Sequence, residues 1–179
     1  RLSGAPHRLL GRLLPRRSRR WFRRAVDLWR AGIPTPRPVC HLEGDRGSTW
    51  TGGVVTEDAP DAESLASRLQ VADAPGRLNL LRTAAAALRE LHRRGFVHGS
   101  PLPENILLEE AEGQQRAAFS GLDGTLSTRW LPQCLRVVAC GLDLRALLNA
   151  VTPAVTAQER RAVLTEYAGD WPDGRQAGR

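Results

Sequence analysis

The 179-residue sequence contains no lysine: all 26 basic residues are arginine. It contains no methionine either, so residue 1 is not an initiator, and the chain is expected to be a piece of a longer protein, or a processed or mis-started product. No apolar run approaches the roughly 18 residues that a membrane-spanning helix needs, and no signal-peptide pattern opens the chain. The three cysteines, Cys40, Cys134 and Cys140, are scattered, odd in number and without metal-ligand spacing, so reduced cytosolic thiols are expected. What is present is ordinary for a globular protein, with 41% apolar and 25% charged residues.

Charge is unevenly spread. Residues 1–30 hold ten Arg against the single acid Asp27, a net of +9, whereas the remaining 149 residues hold sixteen Arg and eighteen acids, a net of −2. The formal charge of +7 therefore belongs to the N-terminal end. A patch of that kind, over residues 8–30, favours an anionic partner: nucleic acid, lipid headgroups or a phosphorylated saccharide. The alternative is a solvated helix face in an arginine-rich protein. Aromatic and basic residues are not interleaved as in RNA-binding segments, and Trp21, Phe22 and Trp29 are expected in the core, which disfavours nucleic acid.

Hydrophobic spacing predicts two short amphipathic helices at 7–14 and 18–31, separated by Pro15. In the second, Trp21, Ala25, Leu28 and Trp29 share a face, with Ser18 as expected N-cap and Gly32 as stop. IPTPRP forces an extended segment, and residues 38–57 read as two strands joined by a turn at Asp45–Gly47. A short helix is expected at 60–70 with Asp61 and Glu63 in its first turn. RLNLLRTAAAALRELHRR, 77–94, has the strongest helical pattern and ends at Gly95. ILLEE and RAAFS suggest a hairpin, 141–150 and 156–168 two closing helices, and 171–179 a frayed tail.

Between the long helix and the hairpin stands FVHGSPLPENILLEE, residues 96–110, with a His and, seven positions on, an Asn. LHRRGFVHGSPLPENILLEE resembles the catalytic loop of protein-kinase-like enzymes, and more closely that of the lipopolysaccharide kinases that phosphorylate Kdo or heptose sugars of the bacterial core. DLWRAGIPTPRPV resembles the segment after that family's αC-like helix. VVTEDAPDAESLASRL is similar to its interlobe hinge, and DLRALLNAV with RRAVLTEYAGD to its closing helices. The likeness runs over residues 7–170.

The resemblance implies an α+β, protein-kinase-like fold, with a mostly helical C-lobe at 58–170 and a partial N-lobe at 1–57 that lacks its first strands. It implies ATP and Mg²⁺ as cofactors, a hinge at Glu57, Asp58 and Ala59 that meets adenine through its backbone, and lipid A or core phosphates as the anionic partner. A cytoplasmic protein, peripheral at the inner membrane, is the corresponding location. Phosphoryl transfer passes through a loose, charge-rich transition state, so catalysis is mostly positioning and charge neutralisation. In the pattern H-x-D-x-x-x-x-N the Asp accepts the substrate hydroxyl proton and the Asn holds a metal; here His98 and Asn105 take the outer places and Ser100 the Asp place. A Ser hydroxyl carries no accessible negative charge near neutral pH and cannot act as that base.

Further departures accompany Ser100. Aligned on the strand, Gly121 takes the place of the metal-holding Asp of the D-F-G position, with Asp123 two residues on as a substitute ligand or a simple turn residue. The phosphate-gripping Lys is absent, the αC-like helix has no acid before Asp27, and no Gly-rich loop occurs. Truncation accounts for the Lys and the loop, but not for Ser100, Gly121 or the acid-free helix. In this family the His98 position braces the loop. Asp143 is either a buried acid that accepts loop N–H groups or an ordinary helix N-cap, and His92 is expected merely at a helix end, near its dipole. Three functions follow: a degenerate kinase-like protein (a pseudokinase) whose ancestral activity phosphorylated a core sugar hydroxyl; a weakly active sugar or protein kinase; or an arginine-rich anion-binding interaction protein.

Overall fold

A computed structural model describes residues 17–44, 52–58, 61–111, 114–151 and 155–169. The helix expected at 7–14, the turn at Asp45–Gly47 and the tail at 171–179 lie outside the described residues. The chain divides into two compact units, Arg1–Asp58 and Ala59–Arg179.

In the first unit, helix α1 (Arg17–Arg30) precedes strands β1 (Pro38–Glu43) and β2 (Gly52–Thr56), which pair antiparallel. Ala25 and Leu28 of α1 are buried. The helix stops where Gly32 takes a left-handed conformation, and the Gly32 and Ile33 N–H groups donate to the Trp29 and Leu28 carbonyls. That pattern closes the orphan carbonyls of the last turn, and buried Ile33 packs beside buried Leu28 to seal it. Two expectations need correction. Ser18 is not an N-cap: it lies inside the helix, buried against the backbone of Gly52, so packing on β2 overrides its capping preference. Trp29 is not core: it is 48% exposed, with the Arg37 guanidinium 5.4 Å from its ring centre.

The second unit contains the rest. Strand β3 (Glu63–Ser64), helix α2 (Leu65–Val71), helix α3 (Ala74–Arg93) and strand β4 (Phe96–Val97) lead into the loop; strands β5 (Ile106–Ala111), β6 (Gln114–Phe119) and β7 (Leu126–Ser127) follow, then helices α4 (Gln133–Val151) and α5 (Ala157–Ala168). The expected helix at 60–70 starts only at Leu65. Glu63 and Ser64 pair with Leu108 and Leu107 in the sheet, and Ser64 then caps α2 by accepting from the Ser67 N–H. Helix α3 begins at Ala74, because Asp73 caps it and Pro75 is tolerated in a first turn. It buries Leu80, Leu81, Ala84, Ala85, Leu88 and Leu91 along one side, each Leu contributing about 1.5–3 kcal/mol of apolar burial. Helix α4 starts at Gln133, eight residues before the expected position, and α5 opens with a reciprocal capping box between Thr156 and Glu159.

Candidate functional site

Helix α3 ends at Arg93, and Gly95, with a left-handed backbone, delivers the chain into β4, whose Phe96 and Val97 are buried and pair with Ser127 and Leu126 of β7. The chain then leaves that sheet as the loop from His98 to Leu102, makes a single 3-10 turn at Pro103–Asn105 and enters the β3–β5–β6 sheet as β5. Pairing of Ile106 with Phe119 returns β6 alongside, so residues 120–121 arrive next to Asn105, and the Ser120 N–H donates to the Asn105 carbonyl at 2.9 Å. On the other side Gly99 lies so close to the Gly124 carbonyl that a Cβ at residue 99 would stand 2.6 Å from it. Loop 98–105 and loop 120–125 are thereby one packed assembly.

Under that assembly lies the carboxylate of Asp143, on the inward side of α4 and buried. Its Oδ2 accepts from the His98 N–H at 2.6 Å and its Oδ1 from the Gly99 N–H at 2.8 Å, so one side chain fixes two successive backbone amides. His92 Nε2 donates to Oδ2 at 3.0 Å. A buried carboxylate without such donors would be strongly unfavourable, whereas three charge-assisted hydrogen bonds make it a rigid pin. Asp143 sits mid-helix, ten residues after the start of α4, so it is not an N-cap.

His98 is buried and its imidazole is engaged at both nitrogens. Nε2 lies 2.9 Å from the Ser120 carbonyl, which only accepts, so Nε2 carries the proton. Nδ1 accepts from the Ser100 N–H at 3.3 Å. The ring is therefore the neutral Nε2–H form, bridging the two loops, with no nitrogen free for proton transfer to a substrate. Burial, the largest influence, pushes its pKa below the ordinary value of 6.5.

His92 lies in the last turn of α3, as expected, but sequence reasoning missed its second role as a buried link, its Nδ1 2.6 Å from the Tyr167 hydroxyl of α5 and its Nε2 on Asp143. Burial raises the pKa values of the Tyr167 hydroxyl and of the nearby Cys140 thiol, so both stay protonated near neutral pH. The available signal was helical spacing: His92 follows Leu88 and Leu91 on the face of α3 that points inward.

The predicted chemical residues are near one another, but without the required groups. Asn105 Nδ2 donates to the Ser100 carbonyl at 3.0 Å, which places the Asn side chain across the loop. Gly121 adopts φ of +63°, and a Cβ there would stand 2.5 Å from Asn105 Oδ1. The Asn amide thus occupies the space into which a side chain at 121 would project. Asp123 is exposed in the 3-10 turn Leu122–Gly124, and no cluster of three or more His, Cys, Asp or Glu fit to hold a metal occurs among the described residues. Mg²⁺ binds through one or two carboxylates together with waters and substrate phosphates; here Asn105 offers one neutral oxygen, Gly121 none, and the carboxylate two residues on is that of Asp123. Glu57 and Asp58 end the first unit as exposed residues, and Ala59 lies outside the described residues. The Glu57 N–H is engaged with the Arg37 carbonyl at 2.8 Å, and its carboxylate meets Arg37 Nη1 at 2.9 Å, so that N–H is not available to an adenine ring.

Two outcomes follow. His98 is neutral in the fold and its pKa is lowered, so its stabilising contribution is complete above 6.5 and is lost as pH falls below that value. Thermal unfolding between pH 7.5 and about 5 will show this decline, and His98→Gln, though less stable at neutral pH, will show a flatter profile over the same window. Gly121→Ala will destabilise by about 1–2 kcal/mol through its left-handed backbone. Part of that cost is contact with Asn105, so in an Asn105→Ala background it will shrink by roughly 0.5–1 kcal/mol in urea denaturation; equal costs in both backgrounds would refute the contact.

No curated protein sequence matches the chain. The structure of WaaP in complex with acyl carrier protein is similar at TM-score 0.62 and 24% identity, over 87% of this chain and 66% of that one. The Rio2 kinase–ADP/Mg²⁺–phosphoaspartate complex from Chaetomium thermophilum is similar at TM-score 0.52 and 17% identity, over 88% of this chain and 45% of that one. The chain thus spans less than two thirds of the length of either relative, and the likeness shows a protein-kinase-like α+β fold. The profile of the lipopolysaccharide kinase (Kdo/WaaP) family matches residues 7–167, and the chain belongs to that family.

Proposed function

We propose that this chain is a degenerate member of the lipopolysaccharide kinase family, a pseudokinase that keeps the catalytic-loop scaffold without the groups that transfer phosphate. The ancestral reaction in this reading is ATP-dependent phosphorylation of a sugar hydroxyl of the lipopolysaccharide core. One observation carries it. The braces of the loop, Asp143 and His98, are fully hydrogen-bonded and Asn105 fills the space at Gly121, while the family resemblance assigns Ser100 and Gly121 to the positions of the base and the metal carboxylate. A base must accept a proton in the transition state, and the Ser hydroxyl is too weak an acceptor near pH 7.

The test is thermal unfolding of the chain with ATP, with and without Mg²⁺ or Mn²⁺. A ligand that binds only the folded state raises apparent stability by about 2.7 kcal/mol at 100 times its Kd, and by almost nothing far below Kd. The expected result is no metal-dependent rise at millimolar ATP. A clear rise that requires the metal would contradict the reading and favour the weakly active kinase.

A further inference from the structure

The first half of α4 is apolar almost all round, yet little of it is covered. Leu135, Val138 and Leu142 recur at i, i+3 and i+7, forming an outward stripe opposite buried Asp143, Leu147 and Val151, and all three are at least half exposed. Val137 and Cys134 flank the stripe and are exposed as well, and Gly141 beside it has nothing within 4 Å of where a Cβ would be. Trp130, just before the helix, is 75% exposed. The stripe spans about 10 Å of helix, and exposed apolar surface of this contiguity marks a surface built to be covered.

Charge identifies what covers it. From residue 124 to residue 158 the sequence has three arginines, Arg129, Arg136 and Arg145, and one acid, Asp143. The three arginines are exposed, whereas the Asp143 carboxylate is buried and bound to the loop amides. The solvent side of this segment is therefore apolar and purely cationic. A second copy of the chain docked here would oppose arginines to arginines with no acid to offset them. An anionic lipid surface matches both properties: the stripe and Trp130 enter the headgroup boundary and the guanidinium groups meet phosphates. Among the described residues no helix is long and apolar enough to cross a membrane, so the contact lies in the interfacial plane. Helix α1 is the competing basic surface. Its Arg19, Arg20 and Arg23 are exposed, but the Trp21 and Phe22 between them are half-buried and its exposed Trp29 lies against Arg37, so α1 presents less apolar surface than α4.

We infer that α4, through Leu135, Val138 and Leu142 with Trp130 and the flanking arginines, is an interfacial contact for anionic lipid. The inference does not rest on the loss of phosphotransfer, because its test uses no nucleotide. The experiment is flotation of the full chain with vesicles of phosphatidylcholine alone or with a third of phosphatidylglycerol, in parallel with light scattering for oligomeric state. Binding will be strong only to the anionic vesicles. L135Q/V138Q/L142Q will lower it about tenfold or more without loss of helical circular dichroism, since these side chains are already exposed. R136Q/R145Q will weaken it and reduce its dependence on salt. R19Q/R20Q/R23Q will leave most of it intact. The inference is overturned if the apolar triple variant floats like the parent, if the α1 variant alone abolishes binding, or if the stripe instead holds a dimer that the same triple variant dissociates.

Discussion

The carboxylate of Asp143 is the interaction on which the second unit depends. It ties α4 to the loop through the His98 and Gly99 amides, and to α3 through His92, which carries the connection to Tyr167 on α5. No apolar residue can substitute. Removing the acceptor leaves buried N–H groups unmet, and each such orphan costs about 1–3 kcal/mol. With the two amides fixed, the neutral ring of His98 joins loop 98–105 to Ser120 and so to the hairpin.

This arrangement separates scaffold from chemistry. The groups that hold the loop point inward and stabilise the fold, so their loss is penalised whatever the protein does. The carboxylates of a phosphotransferase point into a cleft toward metal and substrate, where they repel each other and add nothing to stability. In the proposed reading, Ser100 and Gly121 in their places leave the fold undisturbed. The small Gly121 also admits the Asn105 amide directly against the backbone, a contact that a side chain at 121 would force apart. Family membership and the proposed loss of the transfer groups are thus compatible in one chain.

Much of the fold was legible in the sequence where local and tertiary preferences agree. Residues 77–94 combine helix formers with a single apolar face, ILLEE and RAAFS pair as the expected hairpin, and the stop at Gly32 is encoded by a glycine that a left-handed turn requires. Misreadings occurred where packing decided instead. Ser18 was drawn into the helix by contact with Gly52, Ser64 served a strand and a cap at once, and the start of α4 is a run of apolar residues that gives no periodic signal because it is apolar on every side. At the site, the spacing of His98 and Asn105 and the odd Ser100 were readable. The roles of His92 and Tyr167 were not, because they depend on residues 51 and 75 positions apart being brought together.

The central claim is that Asp143 holds the loop independently of any chemistry, and amide hydrogen exchange at His98 and Gly99 tests it most directly. The account predicts strong protection of both amides in the parent chain without nucleotide or metal. It also predicts selective loss of that protection in Asp143→Asn, with the α3 and β5–β6 amides still slow. Rapid exchange at His98 and Gly99 in the parent, or protection unchanged in Asp143→Asn, would contradict it.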